Sequence, residues 1–324
     1  MKIRAGFQIA YDCQNDTPML LVLKVHPSRE RDLCSEQALV FNRVSSQRDY
    51  LDVFGNACTR IVATPGMTTI SAQFEVSDRG VPKLLPGQAV QLPIQDLPDD
   101  VLVFLLGSRY CDTDRLTDFA WKQFSATPLG WPRVKAVLDF VHGHLAFDYD
   151  RADPMRTAHG GFIDRTGVCR DLAHLTIMLC RCLNISARYC TGYLGDIGVP
   201  KDPHPMDFSA WCEVYLGGRW WTVDARHNVP RIGRILMARG RETAGLCRSD
   251  FDSRRDITLW PEWLCHWPYD CGALHFRVVP VHQTTRSAGG NSSPADGFEK
   301  KGWREVFGIN YGARADSRRA WQVS

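Results

Sequence analysis

Short apolar runs separated by turn formers fill the first third of the chain. Residues 20–25 (LLVLKV), 58–63 (CTRIVA) and 68–76 (TTISAQFEV) are spaced by Pro65-Gly66 and Arg79-Gly80, a rhythm that suits an antiparallel sandwich or barrel. Residues 1–97 are therefore expected to form an N-terminal antiparallel β-sandwich domain. Residues 98–130, with a polar start, a short apolar run and a charged turn, read as a linker region. From Trp131 the period lengthens: Val134, Val137, Leu138, Val141 and Leu145 recur at helical spacing, with Pro132 at a first-turn position that tolerates proline. A second helix is expected from about residue 167 to 183, capped by Thr166, with Leu172, Leu175, Leu179 and Cys182 as its apolar stripe. After Asn184 the pattern turns to strands, 188–194 (RYCTGYL), 210–216 (AWCEVYL) and 219–224 (RWWTVD). Gly217-Gly218 between the last two is the signature of a two-residue hairpin turn with positive φ at both positions. A helix packed on a meander of strands makes residues 131–247 an α+β core. Residues 248–324 lose any clean period, and the stretch from Thr284 through its Ser-rich continuation reads as flexible.

Composition narrows the function classes. With 324 residues there is room for two cores, and 44% hydrophobic against 23% charged residues is the balance of a folded protein rather than a disordered one. Thirty-nine basic and thirty-six acidic side chains leave a formal charge of +3, too little to draw a polyanion, so no nucleic acid partner is expected. The N-terminus interleaves charged, polar and apolar residues, and no segment is apolar for long enough to span a bilayer. No membrane association is expected, and a cytoplasmic location follows as the default. The twelve cysteines are then expected to be mostly thiols. None forms a C-x-x-C pair; Cys180 and Cys182 diverge on a helix, and Cys265-His266 with Cys271 is a loose group lacking a second pair. Neither metal nor cofactor is expected, and the sequence says nothing of oligomeric state.

The chemistry gathers at the start of the second helix. Cys169 lies in its first turn, where free N–H groups and the helix dipole favour a thiolate, although most free cysteines serve as small packing hydrophobes. The hairpin adds weight. Counting outward from Gly217-Gly218 pairs Leu216 with Arg219, Trp211 with Asp224 and Ser209 with Arg226, so residues 209 and 224 become diagonal neighbours on one face, about 7–8 Å apart at the backbone. Sulfur from a helix start, a base from one strand and a carboxylate from the next are what a Cys-His-Asp site requires. Asp171 reads as a favourable charge at the helix start, Arg170 as a solvated side chain, and Trp211, Trp220 and Trp221 as core or cleft wall.

The stretches GVCRDLAHL (167–175), ARYCTGYLGDIG (187–198) and FSAWCEVYLGGRWWTVDARHN (208–228) resemble the bacterial transglutaminase-like family, which is related to the papain-type cysteine proteases. That resemblance implies an N-terminal β-domain followed by a transglutaminase-like (papain-like) core. It matches Cys169 to the nucleophile and Asp224 to the acidic member of the triad. The family's His-Ala-Trp stands here as Ser209-Ala210-Trp211, and a serine hydroxyl cannot exchange a proton near neutral pH as imidazole does. His227 and His204 are equal alternatives for the base. Strand alternation sets His227 opposite Ser209 unless the strand ends first, and His204 lies in a proline-flanked loop. His174, about 140° round the helix from Cys169, should point away. The implied activity is hydrolysis or acyl transfer on a peptide, protein or small amide through a Cys169 thioester. The alternative is an inactive binding or scaffold protein.

Overall fold

The computed structural model describes residues 1–82, 85, 87–200, 208–243, 275–276 and 279–281. His204, the group Cys265, His266 and Cys271, and the Ser-rich stretch after Thr284 lie outside the described residues. Strands β1 (Lys2–Cys13), β2 (Thr17–Leu21), β3 (Val40–Phe41), β4 (Val44–Leu51), β5 (Ala57–Ala63) and β6 (Gly66–Ser77) make two antiparallel sheets, one containing β1-β6-β3 and the other β2-β5-β4. β1 and β6 pair over their whole length, from Lys2↔Ser77 to Cys13↔Gly66, because each carries a buried residue at every second position. The two short strands His275–Phe276 and Val279–Val281 pair with the other edge of β1.

The apolar run at 20–25 is only partly strand. β2 stops at Leu21 because the Gln37 side chain takes over the backbone: its Oε1 accepts from Val25 N at 2.6 Å and its Nε2 donates to Leu23 O at 3.1 Å. Buried amides outside a ladder are thereby satisfied. The next residue, His26, donates its backbone N–H to Leu236 O at 2.9 Å.

Helices α1 (Asp99–Leu102) and α2 (Thr117–Phe124) precede α3 (Trp131–His144), β7 (Ala146–Phe147), α4 (Ala158–Asp164), β8 (Thr166–Gly167) and α5 (Cys169–Cys182). Strands β9 (Ala187–Tyr193), β10 (Ser209–Leu216), β11 (Arg219–Val223) and β12 (Ile235–Gly240) form an antiparallel sheet in the order β11-β10-β9-β12. Gly217 and Gly218 have φ of +57° and +81°, and the register runs from Leu216↔Arg219 to Cys212↔Val223, as the Gly-Gly turn predicts.

α5 is the hub of this architecture. It packs on β9 and β10 as well as on α3 and α4, and all of its residues are buried. An apolar stripe is thus too narrow a description, and its polar residues must be matched inside the protein. Arg181 donates to Ala187 O (3.0 Å) and Leu106 O (3.0 Å). His174 stacks on Tyr110 with ring centroids 5.4 Å apart and meets Thr243 Oγ1 at 2.9 Å. Burial, reinforced by Arg170 and Arg181, holds its imidazole well below the usual pKa, so it stays neutral. Arg170 is likewise buried rather than solvated, because it meets Asp171 Oδ1 at 3.1 Å, donates to Asp153 O and lies over the Tyr110 ring. One cluster of buried apolar side chains joins Ile3, Phe7 and Phe74 from the first strands with Leu175, Tyr193 and Phe208.

Candidate active site

Cys169 is the first residue of α5 and is 5% exposed. The cap is not Thr166. Val168 occupies the N-cap position, and Asp171 reaches back so that its Oδ2 accepts from Val168 N at 2.9 Å. Gly167 is required for this: a Cβ there would lie 2.6 Å from Asp171 Oδ2 and 2.7 Å from Asp171 Cβ. The same residue is tied to β7 by the parallel pair Phe147↔Gly167 and by Asp148 N donating to Gly167 O at 2.9 Å. Phe147 and Tyr149, whose rings meet edge to face at 4.8 Å, are therefore held beside the start of α5.

The second half of the site is a turn. β11 ends at Val223, and residues 225–227 curl back instead of continuing the ladder. Asp224 is the cause: its Oδ1 accepts from Arg226 N (2.9 Å) and His227 N (3.4 Å), and its backbone carbonyl accepts from Asn228 N (2.9 Å). α3 pins the turn from behind, where His142 Nδ1 donates to Ala225 O at 2.9 Å and Asp139 Oδ1 accepts from Asn228 Nδ2 at 2.7 Å. Strand alternation consequently ceases to govern His227, and its Nδ1 comes within 2.9 Å of Asp224 Oδ2. The expected pairing of Ser209 with Arg226 does not form, since the ladder is over by then; Ser209 pairs instead with Gly192 of β9.

Asp224 is an ionised carboxylate. Burial opposes its charge, but the Arg234 guanidinium, which donates to Oδ2, and the His227 bond outweigh that and hold its pKa well below the usual range. An ionised carboxylate only accepts, so His227 Nδ1 carries the proton of this bond. Arg234 also lies over the Trp211 ring, 4.9 Å from its centroid, which agrees with Trp211 and Asp224 sharing a face. Arg226 lays its guanidinium 3.8 Å from the centroid of Phe147 and donates from Nη2 to Tyr149 Oη at 3.3 Å. A cleft of about 560 Å³ opens along Phe147, Tyr149, Pro200 and His227, with Asp148 and Asp196 also on its wall.

The arrangement brings Asp224 and His227 into contact and leaves Ser209 apart from that pair, its buried Oγ without a hydrogen-bond partner among the described residues. Arg226 and Arg234 were not among the residues singled out by sequence. Arg234 lies ten positions after Asp224 across a loop, so no spacing rule connects them. Among the described residues, no group of three or more His, Cys, Asp or Glu could hold a metal ion, and no helix is long and apolar enough to cross a membrane.

Residues 120–225 match the model of the transglutaminase-like superfamily. The crystal structure of a candidate cysteine protease from Cytophaga hutchinsonii is similar over 90% of this chain and 94% of its own, with a TM-score of 0.68 at 24% identity. At that identity the likeness shows a shared fold, which is α+β and papain-like. An uncharacterized protein of Mycobacterium leprae (strain TN) is 32% identical over 102 residues, 31% of this chain and 33% of that relative. The match thus spans about a third of the length of the curated relative.

Proposed function

Because the chain carries a core of the transglutaminase-like superfamily at residues 120–225, we propose that it is a cysteine-dependent amide or peptide hydrolase or acyl transferase working through a Cys169 thioester. The observation that supports this reading best is the 2.9 Å bond from His227 Nδ1 to Asp224 Oδ2, which supplies an oriented imidazole where the family resemblance lacks one. The turn that carries this imidazole also lays Arg226 on Phe147, and Phe147 is paired with Gly167 two residues before Cys169. Phe147 is thus in backbone register with the segment that leads into Cys169, and it lines the same cleft as His227.

In this reading the Cys169 thiolate attacks the substrate carbonyl, and N–H groups of the first turn of α5 stabilise the oxyanion. The C–N bond then breaks, the amine leaving with the proton that His227 Nε2 took from the Cys169 thiol as the thiolate formed. Water, or a second amine, gives its proton back to His227 as it attacks the thioester, which frees Cys169. The cleft walled by Phe147, Tyr149 and His227 is of a size to take a short peptide segment or a small amide. Ser209 takes no part. Its buried hydroxyl has no partner among the described residues, so Ser209→Ala should be neutral or slightly stabilising and should keep the wild-type rate. Amidase assays on peptide and small-amide panels, run with Cys169→Ala as control, test the reading. Turnover that survives in Cys169→Ala would contradict it, and so would loss of turnover in Ser209→Ala.

A further inference from the structure

We propose that Arg231 is a positioning residue for substrate binding, holding the loop after β9 (residues 195–200) where it forms the wall of the cleft that meets substrate away from the scissile bond. This rests on the reading of Cys169 as the nucleophile and of the cleft beside His227 as the place where substrate binds. The loop is joined to the segment between the Asp224 turn and β12 residue by residue. Arg231 is buried, and its Nη2 donates to Gly195 O at 3.0 Å and lies 3.5 Å from Asp196 Oδ1. A Cβ on Gly198, whose φ is +74°, would come 3.2 Å from Ile232 Cδ1, so Ile232 packs directly on the loop backbone. A Cβ on Gly233 would come 2.7 Å from Ile197 Cδ1 and 3.1 Å from Ile3 Cδ1, so this glycine leaves room for one isoleucine of the loop and another of β1. Arg231, Ile232 and Gly233 thus grip residues 195–198 without a gap.

The grip has the cleft on one side and the Asp224–His227 pair on the other. Asp196, Val199 and Pro200 of the loop line the same cleft of about 560 Å³ as Phe147, Tyr149 and His227, and Arg231 itself is on that wall. Next in the chain, Arg234 donates to Asp224 Oδ2, while its carbonyl accepts from Arg29 Nη1 at 2.9 Å. The fixed end of the loop and the carboxylate that orients His227 are therefore both held by one short segment, which Arg29 and Ile3 brace from the N-terminal part of the chain. A cleft of this size takes a ligand of many atoms, and a group as small as acetamide fills only a small part of it. A peptide extends further and reaches the loop. The roles of neighbouring arginines separate accordingly: Arg234 acts on the chemistry through Asp224, and Arg231 acts on binding through the loop. Loss of the Arg231 bond should weaken the binding of long substrates without slowing the reaction of short ones.

The test compares thiol reagents of different length on the full-length chain, iodoacetamide and a series of tripeptidyl chloromethyl ketones, with the Cys169 adduct followed by peptide mapping. In the wild type the best tripeptidyl reagent should saturate. In Arg231→Met its half-saturation concentration should rise about ten-fold or more, as for loss of a hydrogen bond from a charged group, while its limiting rate and the iodoacetamide rate stay within about two-fold of wild type. Arg231→Lys keeps a charged donor for Gly195 O and should recover most of the affinity. If Arg231→Met does not fold, Gly198→Ala disturbs the same grip from the loop side, through strain at its positive φ and pressure on Ile232, and should give the same split. Tripeptidyl labelling that does not saturate in the wild type, a half-saturation concentration unchanged in the variants, or iodoacetamide labelling slowed as much as tripeptidyl labelling would each overturn the proposal. Labelling of other cysteines with Cys169 untouched in the wild type would instead sink the reading of Cys169 as nucleophile.

Discussion

Alanine at Asp224 should cost the protein about 3–5 kcal/mol of stability, the range for removing one partner of a buried ion pair, and should abolish turnover. Asp224 is 8% exposed and gathers Arg234, the His227 ring and the backbone N–H groups of Arg226 and His227. Without the carboxylate, Arg234 is left buried without its counter-ion, the turn loses the oxygen it wraps around, and the imidazole loses its orientation. The effect should depend on pH in a defined direction. The folded carboxyl is held well below its ordinary pKa, because burial is outweighed by Arg234 and His227. Its contribution is therefore fully present above the unfolded value, about 3.9, and is lost as the pH falls through the folded value. In that acidic window the unfolded chain binds more protons, so wild-type stability should fall with acidification and the difference from Asp224→Ala should shrink. Urea unfolding of both proteins at a series of pH values checks this. A difference that grows below pH 4 would mean that Asp224 is not stabilised in its charged form.

The second large effect is expected at His227. His227→Ala should lower kcat/KM by about two to four orders of magnitude, the span attributed to a positioned general acid–base, while the fold is retained, because His227 sits on the rim of the cleft and is half-buried. Asp224→Asn should act through the same imidazole. Once His227 is gone, the further loss from Asp224→Asn should be much smaller than in the wild-type background, since residues that act as one unit are strongly non-additive. Steady-state kinetics of the two single variants and the double variant give the comparison. Fully multiplicative losses would show that the 2.9 Å contact between the two side chains has no catalytic consequence.

The sequence carried the α+β class, the helix at Trp131 and the hairpin register, because each depends on local periodicity or on a turn that only glycines fill. It also placed Cys169 at a helix start. What it could not show depends on partners distant in the chain. The return of His227 requires β11 to end at Val223, where Asp224 forms the turn and His142 and Asp139 on α3, more than eighty residues earlier, pin it. Arg170 reads as a surface side chain until Asp171, the Asp153 carbonyl and the Tyr110 ring are placed around it. The capping oxygen of α5 comes from Asp171 inside the helix rather than from Thr166 before it, a choice set by the space that Gly167 leaves. The run at 20–25 looks like uninterrupted strand, and only the Gln37 amide, folded back on it from a later loop, explains why the ladder stops at Leu21.

The most direct test of the central claim is to look for the thioester itself. An activated ester such as p-nitrophenyl acetate needs no protonation of its leaving group, so it should acylate Cys169 even without His227, whereas hydrolysis of the thioester requires the base. Intact-mass spectrometry of full-length His227→Ala after brief exposure to this ester should show one acetyl group per chain, mapped to Cys169 and removed by hydroxylamine. Under the same conditions the wild-type protein should turn over with little adduct remaining, and Cys169→Ala should show no adduct at that peptide. Acetyl groups spread over other cysteines and lysines with Cys169 unmodified, or an adduct as persistent in the wild type as in His227→Ala, would contradict a Cys169 nucleophile served by the Asp224–His227 pair.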